Sequence, residues 1–302
     1  MMKKIKSAFT MLELVFVIVI IGLLSTFGVE FMVQSYQSYI FSNINNRLQN
    51  ESATAIEFIA KRLSHRIKDS VIARDLSAGN FVGIQNVSPT GNYTVLEWVG
   101  SNIDGFRGTI NSTPISPDWS GIIDLDADIG FTNRLTSPET NTTAINAMIK
   151  NLSYNNSDIN DSALYFVGSN SDIFTDYGWS GTNNAYLQDQ NGSMHPIKND
   201  TDISVFLPPT TDFSGVDVYE YYKHTWTAYA IVHSNDNNLT LYYDYQPWNG
   251  DTYTDASQTA LIMQNVTTFK YKAIGSIIKI QLCVASELAK EEYAICKEKT
   301  IY

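Results

Sequence analysis

FTMLELVFVIVIIGLLSTFGV, from Phe9 to Val29, is a run of twenty-one residues with a single charge, Glu13. At about 1.5 Å per helical residue it is about 30 Å long, enough to cross a hydrocarbon core. Lys3, Lys4 and Lys6 precede it, an asymmetry that predicts a cytoplasmic N-terminus and export of the chain beyond the run. A cleavable secretory signal is one reading. Such a signal wants a small-x-small site after its apolar region, and Ser25-Thr26-Phe27-Gly28-Val29 offers none. A plain signal anchor is a second reading. Neither accounts for Glu13, because a carboxylate inside an apolar segment is costly without a partner and marks a functional site by default.

A third reading accounts for the acid as well. Ser7-Ala8-Phe9-Thr10-Met11-Leu12-Glu13-Leu14 resembles the prepilin cleavage and methylation motif of type IV pilins and type II secretion pseudopilins. In that family a basic leader ends in a small residue, and a prepilin peptidase cuts on the cytoplasmic side before a Phe. The new N-terminal amine is then methylated, and the fifth residue of the mature chain is Glu. The resemblance implies cleavage between Ala8 and Phe9, N-methylation of Phe9, and Glu13 as that fifth residue. Ala8 stands where Gly is commoner. The run from Val15 to Leu24 also matches the family's anchor. The resemblance further implies that Glu13 pairs with the N-terminal amine of a neighbouring subunit. Such a pair fixes the register of one helix against the next and makes assembly conditional on processing.

The helical pattern continues past the apolar run. Ile40, Ile44, Leu48, Ala55, Ile59, Leu63, Ile67 and Val71 recur at steps of four, with one step of seven. Asn43, Arg47, Glu51, Lys61, Arg62 and Lys68 carry the polar face. The first proline is Pro89, and Gly79 and Asn80 are natural stop signals. A single helix from Phe9 to about Arg74 is the expectation, apolar on all sides at first and then one-sided. The other reading is two helices joined near Ser42-Asn43.

Beyond Leu76 short apolar runs alternate with Asn, Asp, Ser, Gly and Pro clusters. Strands are predicted at 81–85, 93–99, 121–125, 163–168 and 202–207. Residues 226–233 and 239–245 read as a β-hairpin across a five-residue polar loop, and 266–271 with 277–284 as a second, turning at 273–276. Residues 144–152 read as a short helix; 169–200 and 208–215 read as long surface loops. The fold class expected is α+β and pilin-like: a long N-terminal helix, membrane anchor plus amphipathic half, packed on an antiparallel β-rich head. The corresponding segments are a leader at 1–8, a transmembrane and assembly helix at 9–30, an amphipathic half at 31–75 and an exported head at 76–302. The terminal strands, with Asn265–Tyr271 followed by a glycine turn and an alternating strand, are similar to those of larger minor pseudopilins, the J-type in particular. Length agrees with a minor subunit, since the family's fibre-shaft subunits are typically about half as long as these 302 residues.

Cys283 and Cys296 are the only cysteines. In an oxidising exported space such a pair is expected as a disulfide, with a stabilisation of about 3 kcal/mol from loop entropy. The other reading is two unpaired buried thiols.

Composition narrows the function classes. Hydrophobic residues are 44% and charged residues 17%, and acids outnumber bases 31 to 20 for a formal charge of −11. Loss of Lys3, Lys4 and Lys6 with the leader makes it −14. That balance argues against a general nucleic-acid binder, which must neutralise phosphates. No G-x-S-x-G, H-E-x-x-H or P-loop pattern occurs, so no catalytic residue and no cofactor is expected. His65, His195, His224 and His233 read as structural. Asp124, Asp126 and Asp128 begin like a calcium loop, but Ile129 and Leu135 occupy its obligatory Gly and Glu positions, and no metal site is assigned. Asn249 to Asp255 is a second acidic loop of the same ambiguity. Tyr242, Tyr243, Tyr245 and Trp248 suggest either a stacking surface or a Tyr-rich core. Asn141, Asn160 and Asn238 lie in sequons with an acid two residues before.

The function these readings point to is a minor pseudopilin or minor type IV pilin, a structural subunit of a secretion or pilus-like fibre and not an enzyme. Its partners would be other pilins, prepilin peptidase and the inner membrane. Its N-terminus would be cytoplasmic before cleavage, and its head periplasmic or extracellular in a fibre. The alternative is a membrane-tethered extracytoplasmic binding module or adhesin on the same anchor. A hydrolase carried on that anchor is a distant third.

Overall fold

Fifty-four residues, Met11–Ser64, form one unbroken helix, α1, in the computed structural model. The structure describes residues 10–75, 80–88, 90–108, 116–127, 133–181, 193–209, 213, 217–286 and 294–302. The helix passes through Ser42-Asn43 without a break, which removes the two-helix reading. At 1.5 Å per residue it is about 80 Å long.

α1 stops at Ser64, ten residues before the expected Arg74, because its last carbonyls find partners there. Ser64 Oγ donates to the Lys61 carbonyl at 2.7 Å. The His65 amide donates to the Arg62 carbonyl, and the Arg66 amide and guanidinium both donate to that of Leu63. Lys61 and Arg62 set positive charge against the negative end of the helix dipole. Ile67 and Val71, which continue the step-of-four pattern, are buried but not helical. The Ile67 amide instead bonds the Val99 carbonyl, leading the chain into a sheet.

The chain then makes β1 (Ile72–Arg74), β2 (Phe81–Gly83), β3 (Val95–Val99) and a short helix α2 (Ile103–Arg107). β4 (Leu135–Thr136), α3 (Thr142–Leu152), β5 (Ala163–Phe166), β6 (Met194–Pro196), β7 (Lys198–Asn199) and β8 (Val205–Leu207) come next. The rest is strand: β9 (Tyr222–Thr225), β10 (Ala228–His233), β11 (Leu239–Tyr243), β12 (Gln258–Met263), β13 (Val266–Ile274), β14 (Ile277–Ala285) and β15 (Ala294–Ile301). A six-stranded sheet runs β12-β11-β10-β3-β1-β2, and three-stranded sheets run β13-β14-β15, β4-β8-β7 and β6-β5-β9. Every named pairing is antiparallel.

The class is therefore α+β, a long N-terminal helix packed on antiparallel sheets. Ser52, Ala55, Ile56, Ile59, Ala60 and Leu63 form the buried stripe of α1. Beside it Lys299 of β15 pairs with Glu57 at 2.5 Å. One apolar core gathers Ile67, Ile72, Val95, Tyr177, Tyr245 and Trp248. A second gathers Trp119, Ile145, Ile149, Phe166, Phe206 and Trp226 around α3. Asn141 caps α3, its side chain accepting from the Ala144 amide at 3.0 Å. The chain divides into two units: residues 52–285 with 294–302 form one, and α1 through Glu51 belongs to the other.

The hairpin β10–β11 turns over 234–238, with His233 facing Leu239. β13 and β14 are longer than expected and leave only Gly275-Ser276 for the turn, with Gly275 at φ 60°, a conformation suited to glycine. Residues 121–125 are not a strand. Ile122 makes one bridge to Tyr221, and the Asp124 carboxylate draws the chain into a turn by accepting from the amides of Asp126 and Ala127. The expected loop at 169–200 contains β6 and β7.

Candidate functional site: an apolar helix start and its carboxylate

Thr10 starts the helix. Its hydroxyl accepts from the Glu13 amide at 3.4 Å and its carbonyl from the Leu14 amide at 3.2 Å. Glu13 thus sits in the first turn, where the helix dipole favours an acid. Around and beyond it every residue to Phe41 is exposed. Leu12, Val15, Val17, Ile18 and Ile20 point outward on different sides of the helix, each at 44% or more of full exposure. The hydroxyls of Ser25 and Thr26 fold back on the Ile21 and Leu23 carbonyls, at 2.7 and 2.8 Å, so they add little polarity to this surface. Among the described residues this is one helix long and apolar enough to cross a membrane, by length and composition.

Such a surface is not a folded protein's ordinary exterior. Apolar side chains on all sides of a helix require a nonpolar solvent or neighbouring helices. In either environment the Glu13 carboxylate needs a cation or donors that its own helix does not supply beyond the first turn. Ala8 and Phe9, the expected cleavage and methylation residues, lie outside the described residues.

The other candidate residues fall elsewhere. Cys283 and Cys296 stand opposite one another on β14 and β15, and their sulfurs are bonded. Tyr245 and Trp248 are fully buried: the Tyr245 hydroxyl donates to Glu97 at 3.1 Å, and Trp248 Nε1 donates to the Asp161 carbonyl at 2.8 Å. With Tyr242 and Tyr243 half-buried, the four do not form an open stacking surface. Burial pushes His224 down to about 3, and its ring contacts Asn102 Nδ2 and Ser162 Oγ at 3.0 and 3.1 Å. His233 Nε2 donates to the Val266 carbonyl at 2.7 Å.

No group of three or more His, Cys, Asp or Glu that could hold a metal occurs among the described residues. Asp128 lies outside them. Asp251 and Asp255 cap their own loop by accepting from the amides of Gln246 and Thr252. Asn141 and Asn160 are exposed and Asn238 is half-buried.

One arrangement has no signal in the sequence pattern. Arg74 of β1 and Glu97 of β3 form an ion pair at 2.6 Å, with Glu97 wholly buried. Burial drives the Glu97 carboxyl up, against the opposing pull of Arg74 and of the hydrogen bonds from Arg74 and Tyr245. The Arg74 guanidinium also lies 5.2 Å from the Phe81 ring centre and donates to the Trp179 carbonyl. It acts as a positioning network between strands, since the Glu97 side chain is closed off from solvent.

Compared with known proteins, the chain matches no family model, no curated protein and no solved structure.

Proposed function

We propose that this chain is a minor pseudopilin or minor type IV pilin, a pilin-like structural subunit that assembles through its N-terminal helix. The observation that carries the reading is a helix whose stretch from Met11 to Val29 is exposed and apolar on all sides, with one carboxylate, Glu13, in its first turn. The residues before it, Ser7-Ala8-Phe9, supply the processing site in this reading. A peptidase on the cytoplasmic side releases the Phe9 amine, which is methylated. The amine of one subunit then meets Glu13 of another inside the apolar layer, where the pair replaces two uncompensated charges. The head is carried into the periplasm or a fibre. The work is assembly and recognition, without substrate turnover or a cofactor. The binding-module alternative loses its aromatic surface, because Tyr245 and Trp248 are core residues.

The test is the mass and N-terminal sequence of the protein recovered from membranes with and without a prepilin peptidase. The expected product begins at a methylated Phe9 only when the peptidase is present. An N-terminus unchanged by the peptidase overturns the proposal.

A further inference from the structure

A concave site on the head carries positive charge in a strongly acidic chain. It has a volume of about 280 Å³. Its charged rim is Lys61 and Arg62 from the end of α1, with Asp104 and Arg107 from α2. Three cations thus face one carboxylate, while the whole chain carries −11. Lys61 and Arg107 are exposed and make no ion pair among the described residues.

The walls are aromatic and held in place. The Arg62 guanidinium stacks between two rings, 5.1 Å from the centre of Phe58 and 5.2 Å from that of Tyr229. One edge of the Tyr229 ring lies against Gly100, where any Cβ would collide with it. Trp226 is buried at the back. The floor, residues 100–102, is pinned by backbone bonds from Gly100 to Thr227, Ser101 to His65 and Asn102 to His224. Asn102 also caps α2, accepting from the Gly105 amide at 2.9 Å, which fixes the element that bears Arg107.

We propose that this pocket binds a small oxyanion, a carboxylate or phosphate, borne on a flat apolar body. The stacked guanidinium and the two free cations match the anion, and the apolar edges of Phe58 and Tyr229 match the body. The volume is at the small end of ligand sites, room for a single ring or one peptide side chain. The inference does not depend on how the chain is anchored.

His65 lines the pocket and reports on it. Burial and then Arg107 hold its imidazole below the ordinary value, with Lys61 adding the least, against an upward pull from Asp104 that is weaker than the effect of Arg107. An anion seated between those cations opposes that repulsion, so binding raises the His65 pKa and, by linkage, protonation of His65 tightens binding.

The experiment uses the full chain in detergent, with benzoate, phenyl phosphate and inorganic phosphate as probes, observed by calorimetry and by NMR of the His65 and Trp226 rings. Saturable binding of the two aromatic anions is expected, with an upward shift of the His65 titration. Lys61→Gln and Arg107→Gln should each weaken it about tenfold, the worth of one charge-assisted hydrogen bond. Both side chains are exposed, so thermal unfolding should stay within a few degrees of the parent. No saturable binding up to about 10 mM, weaker than any useful affinity, overturns the proposal. So does binding that both variants leave unchanged. Inorganic phosphate binding as tightly as phenyl phosphate overturns the role of the aromatic walls.

Discussion

The two ends of α1 obey different rules within one continuous helix. From Met11 to Phe41 the helix is exposed throughout, and its apolar residues point to every side. From Ser52 to Leu63 one stripe is buried to within 5%, while the other face is polar apart from residues such as the exposed Phe58. The first half is specified by a solvent or partners outside the chain, the second by the chain's own sheets. Substitutions in the two halves should therefore fail in different assays.

The largest effect is expected from Glu13→Val. Fibre or complex assembly, scored by pull-down of co-expressed subunits, should fall below detection, while unfolding of the head is unchanged. A variant that assembles as well as the parent breaks the comparison at its first term. Glu97→Ala comes next. It strands Arg74 in the core and should cost the head about 3–5 kcal/mol in denaturant unfolding. Assembly of whatever head remains folded should proceed.

Leu63→Ala sets the two halves against each other directly. Leu63 is fully buried and Leu23 is 59% exposed. Leu63→Ala should cost about 2–5 kcal/mol of head stability, and Leu23→Ala none. Equal effects would mean that the helix halves are not energetically separate.

The smallest effect is a slope. His224 has its pKa pushed from 6.5 down to about 3 by burial. The unfolded chain therefore takes up a proton first. The stability from the neutral ring is complete above about pH 6.5 and is lost as the pH falls toward 3, at up to about 1.4 kcal/mol per pH unit. Unfolding measured from pH 7 to 4 should be less steep in His224→Gln, whose amide cannot titrate.

Much of the α+β plan was readable because its signals are periodic. The apolar run and the step-of-four pattern mark α1, and the alternation of Ile278, Ile280, Leu282 and Val284 marks β14. What escaped is aperiodic. All five residues of β3 are buried, so Glu97 interrupts no alternation, and its partner Arg74 lies in a strand where the pattern predicts helix. Ile67 and Val71 extend the helical pattern because a buried 3₁₀ turn and strand entry also need apolar residues there. β12 is mostly exposed and β15 holds only two large aliphatic residues, Ile295 and Ile301. Both owe their form to the ladders of their neighbours, β11 and β14, which no local pattern reveals. The cationic pocket joins residues more than 160 positions apart, 58–65 with 226 and 229, and so has no linear motif.

The bonded pair Cys283–Cys296 has a mechanical meaning. The end of α1 lies against β15 through Glu57 and Lys299, so a pull along the helix reaches the head partly through that strand. β15 is the edge strand of its sheet, and without a cross-link it could peel from β14 one hydrogen bond at a time. The covalent rivet within their eight-residue register prevents it from sliding or unzipping past that point.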